Sequence, residues 1–275
     1  MRKILKRIRF MHIKGLNKAG VPLKLFRLFV SLAAIFGFLA LIMQLFAYEL
    51  FGWSSTVYRE RREIEAPQFI SVNSADIPLR VYTHSGEKII IEYIGETALI
   101  IDEGENELKI SRVEDFTLSL YSTDILNYGM IVRLPAQIYR EIKLTSASGD
   151  ITAENIHAEL LSASSRTGNI NLRAVEGLIA VSTRQGDVCA EFINFTDACA
   201  IETDSGDIKI TMPERNAVNL NFLTDAGRLT SDFFRREFNA HEGDLYLAAG
   251  ENPIRFTVRT SSGNLEFMTR NEVIQ

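Results

Sequence analysis

The second half of the chain repeats a glycine followed by a side chain that could bind a cation or close a turn. The segments SASGDIT, SRTGNIN, TRQGDVC, TDSGDIK, TDAGRLT and TSSGNLE carry the pairs Gly149-Asp150, Gly168-Asn169, Gly186-Asp187, Gly206-Asp207, Gly227-Arg228 and Gly263-Asn264. If the copies stack, oxygens about 5 Å apart could share Ca²⁺, with Asp150, Asp187 and Asp207 as the candidate ligands. The alternative is that each Asp or Asn closes its own turn.

Calcium-binding β-rolls use a shorter, glycine-richer repeat with an aspartate in every copy. Two copies here carry asparagine and one carries arginine. We therefore expect turn closure, and no metal or other cofactor.

The other residues that could do chemistry do not form a catalytic or metal-binding pattern. None of the histidines pairs with a cysteine or a carboxylate at metal-ligand spacing; they are His12, His84, His157 and His241. The serines occupy a repeated column without a nucleophile elbow, and the isolated glycines form neither a P-loop nor a dinucleotide fingerprint. We expect that the protein is not an enzyme.

The spacing of the apolar residues indicates which elements carry the glycine pairs. Successive glycines lie 19, 18, 20, 21 and 36 residues apart, and a degenerate copy, EGDLY around Gly243, falls inside the long interval. Apolar side chains recur seven and five places before each glycine and two places after it. This alternation predicts half-buried strands, and the glycine is expected to supply a positive φ at the turn.

Each copy is therefore predicted to be a strand, a turn and a second strand. A single copy cannot bury its apolar side, so the copies should stack and share one core. The predicted fold class is all-β, a β-solenoid-like stack of about 19-residue two-strand repeats preceded by one transmembrane α-helix. An antiparallel meander is the alternative, because Gly-Asp also marks hairpins, but the near-constant register favours stacking.

The two cysteines are predicted to face opposite ways. Cys199 occupies the inward column seven places before Gly206, whereas Cys189 lies three places after Gly186 and should point outward. Residues on opposite faces of a sheet do not readily meet the geometry of a disulfide. We expect a buried Cys199, a free Cys189 thiol and no bridge.

An uncharged apolar run, LFVSLAAIFGFLALIMQLFAY, covers residues 28–48. About 20 such residues cross a bilayer as a helix. Residues 1–48 contain nine Lys and Arg but no Asp or Glu, which predicts a cytoplasmic N-terminus. A cleaved signal peptide is the alternative, but its apolar core runs only about 7–15 residues and ends at a small-x-small site, which is missing here.

The chain is predicted to have five segments. They are a basic cytoplasmic leader over 1–27, a transmembrane helix over 28–48, a short stalk over 49–63, an extracytoplasmic β-repeat domain over 64–268 and a polar tail over 269–275. Residues 49–275 hold 21 of the 30 basic residues and all 35 acidic ones, a net charge of −14. Nucleic acid is not an expected partner, because its phosphates would be repelled. The lipid bilayer is an expected partner.

The repeats SGDI, TGNI, QGDV, SGDI and SSGNL behind a short leader and one apolar run resemble the bacterial putative adhesin family, over residues 64–268. The resemblance implies a solenoid-like β domain at the cell envelope and no established catalytic residues. Its members are found near envelope-stress and transcription-control genes, which implies sensing or scaffolding. Arg228 departs from the Asp/Asn column, so a different geometry is expected at that turn.

These expectations combine into a single-pass, membrane-anchored binding or scaffolding protein of the bacterial cell envelope. Its partner is expected to be a cell-wall polymer or another envelope protein. The alternative is a regulatory component of an envelope-stress sensing system, in which the leader signals across the membrane.

Overall fold

The computed structural model describes residues 57–112, 128–192, 195, 197–213, 217–234, 236–239, 245–249 and 253–270, together with Phe36. The chain divides into two compact units between Ser55 and Thr56, and the strands belong to the second. The predicted leader over 1–27 lies outside the described residues, as does the predicted transmembrane helix over 28–48 apart from Phe36. Among the described residues, no helix has the length and apolar character needed to cross a membrane.

The second unit is built of strands, which confirms the all-β prediction. The first strands are β1 (Tyr58–Glu65), β2 (Phe69–Asn73), β3 (Leu79–His84), β4 (Lys88–Gly95), β5 (Leu99–Glu103), β6 (Glu107–Arg112) and β7 (Gly129–Pro135). The repeats continue as β8 (Ile138–Ser146), β9 (Ile151–Glu154), β10 (His157–Ser165), β11 (Ile170–Arg173), β12 (Glu176–Gln185), β13 (Val188–Glu191), β14 (Cys199–Ser205), β15 (Ile208–Pro213), β16 (Val218–Thr224) and β17 (Arg228–Ser231). The last are β18 (Arg236–Asn239), β19 (Leu245–Ala249), β20 (Ile254–Thr260) and β21 (Leu265–Arg270).

These strands form two sheets that share one core. Sheet 1 has the order β1-β4-β7-β3-β9-β11-β13-β15-β21-β17-β18, and sheet 2 has the order β19-β16-β20-β14-β12-β10-β8-β2-β6-β5. Each repeat gives its first strand to sheet 2 and its second strand to sheet 1, with the glycine turn between them. Neighbouring repeats pair in parallel in both sheets, so the repeats stack as coils and do not form a meander.

The predicted apolar columns are confirmed by the strand register. In sheet 2 the column five places before each glycine runs through Leu144, Ala163, Val181, Ile201, Val258 and Phe222. In sheet 1 the column two places after each glycine runs through Ile151, Ile170, Val188, Ile208, Leu265 and Leu229. All twelve side chains are buried, so the residues directly before and after each of them in its strand face outward.

The order of the coils in space differs from their order in the sequence. The repeat of Gly263, formed by β20 and β21, lies between the repeats of Gly206 and Gly227. The degenerate copy predicted around Gly243 lies outside the described residues at its glycine, and the strands on either side of it, β18 and β19, run antiparallel to β17 and β16. These two strands cover the outermost parallel repeat.

Aromatic packing stabilises the last repeat in this position. Phe256 of β20 pairs with the smaller Cys199 of β14 in the same inward column. Its ring packs against those of Phe195, at 5.6 Å between centroids, and Phe192, at 6.0 Å. The phenylalanines that follow β13 thus contribute to a site for the C-terminal repeat directly on the fourth one.

The N-terminal end of the stack shows the same inversion. The coil of β2 and β3 lies between the coil of β6 and β7 and the coil of β8 and β9. Strands β4 and β5 run antiparallel to β7 and β6, and β1 runs antiparallel to β4 at the edge of sheet 1. Both ends of the stack therefore finish in antiparallel strands.

Strand β1 corrects the predicted stalk over 49–63. Residues 58–63 belong to a strand that pairs with β4 along its whole length. Only Ile64 of this strand is buried. The strand sequence, YRERREIE, therefore has no need of the apolar alternation that marks the other strands, and it does not show it. A charged edge strand also discourages pairing with another chain. At the other end, β21 reaches Arg270, so the predicted tail over 269–275 begins two residues too early.

The repeat glycines are required by a close approach of backbones. A Cβ on Gly168 would overlap the carbonyl oxygen of Gly149, and a Cβ on Gly186 would overlap that of Gly168. The contact continues through Gly206, Gly263 and Gly227. None of these six glycines has its φ in the left-handed region. The predicted positive φ is therefore wrong, and what each position needs is the absence of a side chain.

Replacing one of these glycines should loosen the stack. Gly206→Ala places a methyl group against the backbone of Gly186, which cannot move without disturbing the next turn. We expect a loss of about 1–3 kcal/mol in the free energy of unfolding, the range for overpacking, measured by urea denaturation. Gly129→Ala is the control, because its Cβ would lie 3.6 Å from the nearest atom, the Pro78 oxygen. Equal unfolding midpoints for the two variants would contradict the close approach.

Candidate functional site

The Asp or Asn after each glycine accepts a hydrogen bond from the backbone of the next coil. Asp150 Oδ1 accepts from the N–H of Asn169 at 2.8 Å, and Asn169 Oδ1 accepts from the N–H of Asp187 at 2.9 Å. Asp187 Oδ1 accepts from Asp207 and Asp207 Oδ1 accepts from Asn264, both at 2.8 Å. We call these five residues the Asp/Asn ladder.

The ladder corrects the expectation that each side chain closes its own turn. Parallel strands in register lie about 4.8 Å apart, which brings the next N–H within reach of the carboxylate or amide oxygen. The N–H of Arg228 donates the last bond, to Asn264 Oδ1 at 3.2 Å. Beyond Arg228 lies the antiparallel strand β18, so this position needs no acceptor, and its departure from the column is explained.

The hydroxyl three places before each glycine supports the same turn from the inside. The N–H of Gly168 donates to Ser165 Oγ at 2.9 Å, and the hydroxyl of Thr183 in the next coil donates to the Gly168 carbonyl at 3.3 Å. Thr183 is 5% exposed and Thr203 is 1% exposed. These hydroxyls face the core, so the serine and threonine column serves the fold.

A groove of about 670 Å³ lies on the outer face of sheet 1, over β13, β15, β21 and β17. Its first row of side chains consists of Asp187, Asp207, Asn264 and Arg228. Its second row, two residues further along each strand, consists of Cys189, Lys209, Glu266 and Thr230. Neighbours within a row lie on adjacent strands, about 4.8 Å apart. We call this feature the sheet 1 groove.

Charges in the groove are ordered along the stack. Lys209 Nζ lies 3.1 Å from Glu266 Oε2, so these two charges offset each other near the middle. Asp187 and Asp207 are exposed at one end and Arg228 at the other. None of these three forms an ion pair with another described residue. The unpaired charge therefore changes from negative over β13 and β15 to positive over β17.

The structure places Cys199 inward and Cys189 outward, as their columns predict, and both thiols are free. Burial raises the pKa of the Cys189 thiol, and the neighbouring Lys209 offsets this only in part. A protonated thiol is a weak nucleophile, so Cys189 is not activated at neutral pH. Burial also raises the pKa of Cys199.

The histidines that the structure describes have local partners. His84 Nδ1 accepts from the N–H of Gly86 at 3.1 Å. His157 Nδ1 lies 2.8 Å from Glu176 Oε2 on the adjacent strand. The other two, His12 and His241, lie outside the described residues.

Each calcium candidate, Asp150, Asp187 and Asp207, has one carboxylate oxygen engaged in the ladder. Their second oxygens are not held by the ladder bonds. In the part of the chain that the structure describes, no group of three or more His, Cys, Asp or Glu side chains could hold a metal ion.

The second row of the groove was not among the residues predicted for a site. Lys209, Glu266 and Thr230 occupy the column three places after the glycine, which is visible in the aligned repeats. Their neighbours depend on the order of the coils, because Glu266 reaches Lys209 only when the last repeat lies on the fourth. The aligned repeats show this column of residues, but they do not show the order in which the coils stack.

The ladder, the glycine contacts and the buried hydroxyls define an all-β repeat domain whose two-strand units stack in parallel between two sheets. A family model described as Toastrack DUF4097 matches residues 70–267. The chain belongs to this family. The match agrees with the expected adhesin-like family, and the N-terminal anchor that completed that resemblance lies outside the matched residues.

The solved structures that are similar to this chain include the following three. A putative cell adhesion protein from Clostridium sporogenes is 13% identical, with 78% of this chain and 100% of that chain covered and a TM-score of 0.49. A putative adhesin from Bacteroides fragilis is 9% identical, with 79% and 98% covered and a TM-score of 0.36. A putative adhesin from Parabacteroides distasonis is 10% identical, with 78% and 98% covered and a TM-score of 0.28. No curated protein matches this chain.

The ladder bond should survive the change from Asp to Asn but not the change to Ala. Asp187→Ala removes the acceptor for the Asp207 N–H, and we expect it to lower the free energy of unfolding by about 0.5–1.5 kcal/mol. Asp187→Asn keeps an oxygen acceptor, as Asn169 does one coil earlier, so its urea midpoint should stay near that of the native protein. If Asn destabilises as much as Ala, the carboxylate charge and not the hydrogen bond is what matters.

Proposed function

We propose that this protein is a single-pass, membrane-anchored protein of the bacterial cell envelope whose β-repeat domain binds a partner outside the cytoplasm. The observation that carries the proposal is the sheet 1 groove, where unpaired charges of opposite sign lie at the two ends of a regular wall. The partner is a cell-wall polymer or another envelope protein, held at this groove.

The membrane anchor in this proposal is supported by the sequence. Residues 28–48 are uncharged and long enough to span a bilayer, and the basic residues before them favour a cytoplasmic N-terminus. The acidic character of residues 49–275 fits a domain that stays in solution beside the membrane.

Binding suits this groove better than catalysis does. The column of hydroxyls faces the core, and the Cys189 thiol, with its raised pKa, is a poor nucleophile. Lys209 is held by Glu266, so it is not a free base. In the proposed function the protein therefore acts by binding its partner, without a metal or cofactor.

A membrane-impermeant maleimide that carries a photocrosslinker tests the location and the groove together. Cys189 is the exposed thiol in the groove, and Cys199 is buried. We expect intact cells at about pH 8 to be labelled at Cys189, and illumination to join the protein to wall material or an envelope protein. The mildly alkaline pH is chosen because the raised pKa of the thiol keeps its reactive form scarce at neutral pH.

The matched control carries Cys189→Ser together with Ser182→Cys, which moves the thiol to the exposed outer face of sheet 2. It should be labelled equally but give no crosslinked product. Labelling of either protein only after the membrane is permeabilised would overturn the location. The same product from both thiols, or none from Cys189, would overturn binding at the groove.

The basic leader supports a second candidate, a regulatory component of an envelope-stress sensing system. Nine basic residues and no acidic one precede the apolar run, and such a leader could contact a signalling partner in the cytoplasm. Deleting residues 2–23 while keeping the span should leave crosslinking at the groove unchanged if binding is the function. Loss of a stress response together with intact crosslinking would establish the regulatory candidate instead.

A further inference from the structure

The distance between the opposite charges of the sheet 1 groove gives its ligand a length. From Asp187 to Arg228 the first row crosses three strand spacings, over β13, β15, β21 and β17. At about 4.8 Å for each spacing, the row is roughly 14 Å long. A ligand that meets both ends must therefore carry a positive and a negative group about that far apart.

The insertion of the last repeat sets this separation. If the coils followed the order of the sequence, Arg228 would lie one spacing from Asp207. The repeat of Gly263 comes between them and adds Asn264 to the first row and Glu266 to the second. The positive end is thus kept one coil away from the carboxylates, and the charges remain unpaired.

The lining residues favour a polar, extended ligand. The twelve residues that line the groove include no aromatic side chain, so there is no stacking platform for a sugar ring or a base. Phosphate-rich polymers are disfavoured by Asp187 and Asp207. The Lys209–Glu266 pair occupies the middle of the second row. A charge on the central part of a ligand would therefore be attracted by one of these side chains and repelled by the other.

The ladder leaves each end of the groove with a group free to bind. Asp187 and Asp207 use Oδ1 for the backbone of the next coil, which fixes each carboxylate and leaves Oδ2 for a cation. Arg228 contributes only its N–H to the ladder, so its guanidinium can form paired hydrogen bonds with a carboxylate.

We propose that the sheet 1 groove binds a short extended peptide with both ends free. Its amino group lies at Asp187 and Asp207, and its terminal carboxylate lies at Arg228. An extended chain advances about 3.3 Å per residue, so about four residues span the groove. The proposal rests on the proposed function, because the peptide is a second ligand of the groove that holds the envelope partner.

Tetraalanine is the probe, titrated into the full-length protein in detergent by isothermal titration calorimetry. Its side chains are small, so the two charged ends dominate the comparison. We expect tetraalanine to bind at least ten-fold more tightly than its N-acetylated form and its C-terminal amide, a factor that corresponds to about 1.4 kcal/mol. Dialanine is too short to reach both ends and should also bind at least ten-fold more weakly.

Substitutions then assign each end of the peptide. Arg228→Gln should lower the affinity for the peptide with a free carboxylate at least ten-fold but leave the affinity for the C-terminal amide unchanged. The double substitution Asp187→Asn and Asp207→Asn keeps the ladder acceptors. It should lower the affinity for the peptide with a free amino group but not the affinity for the N-acetylated peptide. Asp150→Asn is the matched control, because it makes the same change in the same ladder outside the groove.

Equal affinities for the free and capped peptides, or an Arg228→Gln effect that is the same for acid and amide, would overturn the proposal. Failure of this proposal is distinguishable from failure of the proposed function. If tetraalanine does not bind but crosslinking from Cys189 still gives an envelope product, the groove binds another ligand and only the peptide is excluded. If both fail, the groove is not a binding site.

Discussion

The contact between the turn of one coil and the turn of the next governs the structure of this domain. Each repeat glycine after Gly149 lies against the carbonyl group of the glycine in the neighbouring coil. This close spacing of the turns lets a side-chain oxygen reach the backbone N–H of the next coil. The same separation sets the register of both sheets, because the strands on either side of the turn are fixed with it. The apolar columns then meet in the core without any further adjustment.

A parallel stack has no natural end, since its last strand exposes a full edge of N–H and carbonyl groups. This chain ends the stack by reversing direction: β18 and β19 cover one end, and β4 and β5 cover the other. Each reversal requires the chain to pass the neighbouring coil, which then lies one place inside the end. The inversions of coil order therefore follow from the way in which the ends are covered.

The sequence was sufficient to predict what depends on one repeat, but not what depends on its neighbour. Alternation determined which face each residue takes, so the inward Cys199 and the twelve apolar column residues were found correctly. The order of the coils was not predictable, because columns of similar side chains fit one another in several orders. The role of Asp187 was misassigned for the same reason, since its hydrogen-bond partner lies in the next coil. The edge strand β1 was missed because it has almost no apolar residue.

The ladder also shows how a structural position can become available for recognition. Asn169 and Asp187 make equivalent bonds at 2.9 and 2.8 Å, so the fold requires an acceptor at these positions but not a charge. Adjacent carboxylates repel each other, and Asp187 and Asp207 lie on the adjacent strands β13 and β15. Both positions lie in the sheet 1 groove, where we propose that their charge serves binding. At the end of the ladder no acceptor is needed, because the next strand, β18, is antiparallel. Arg228 occupies this position.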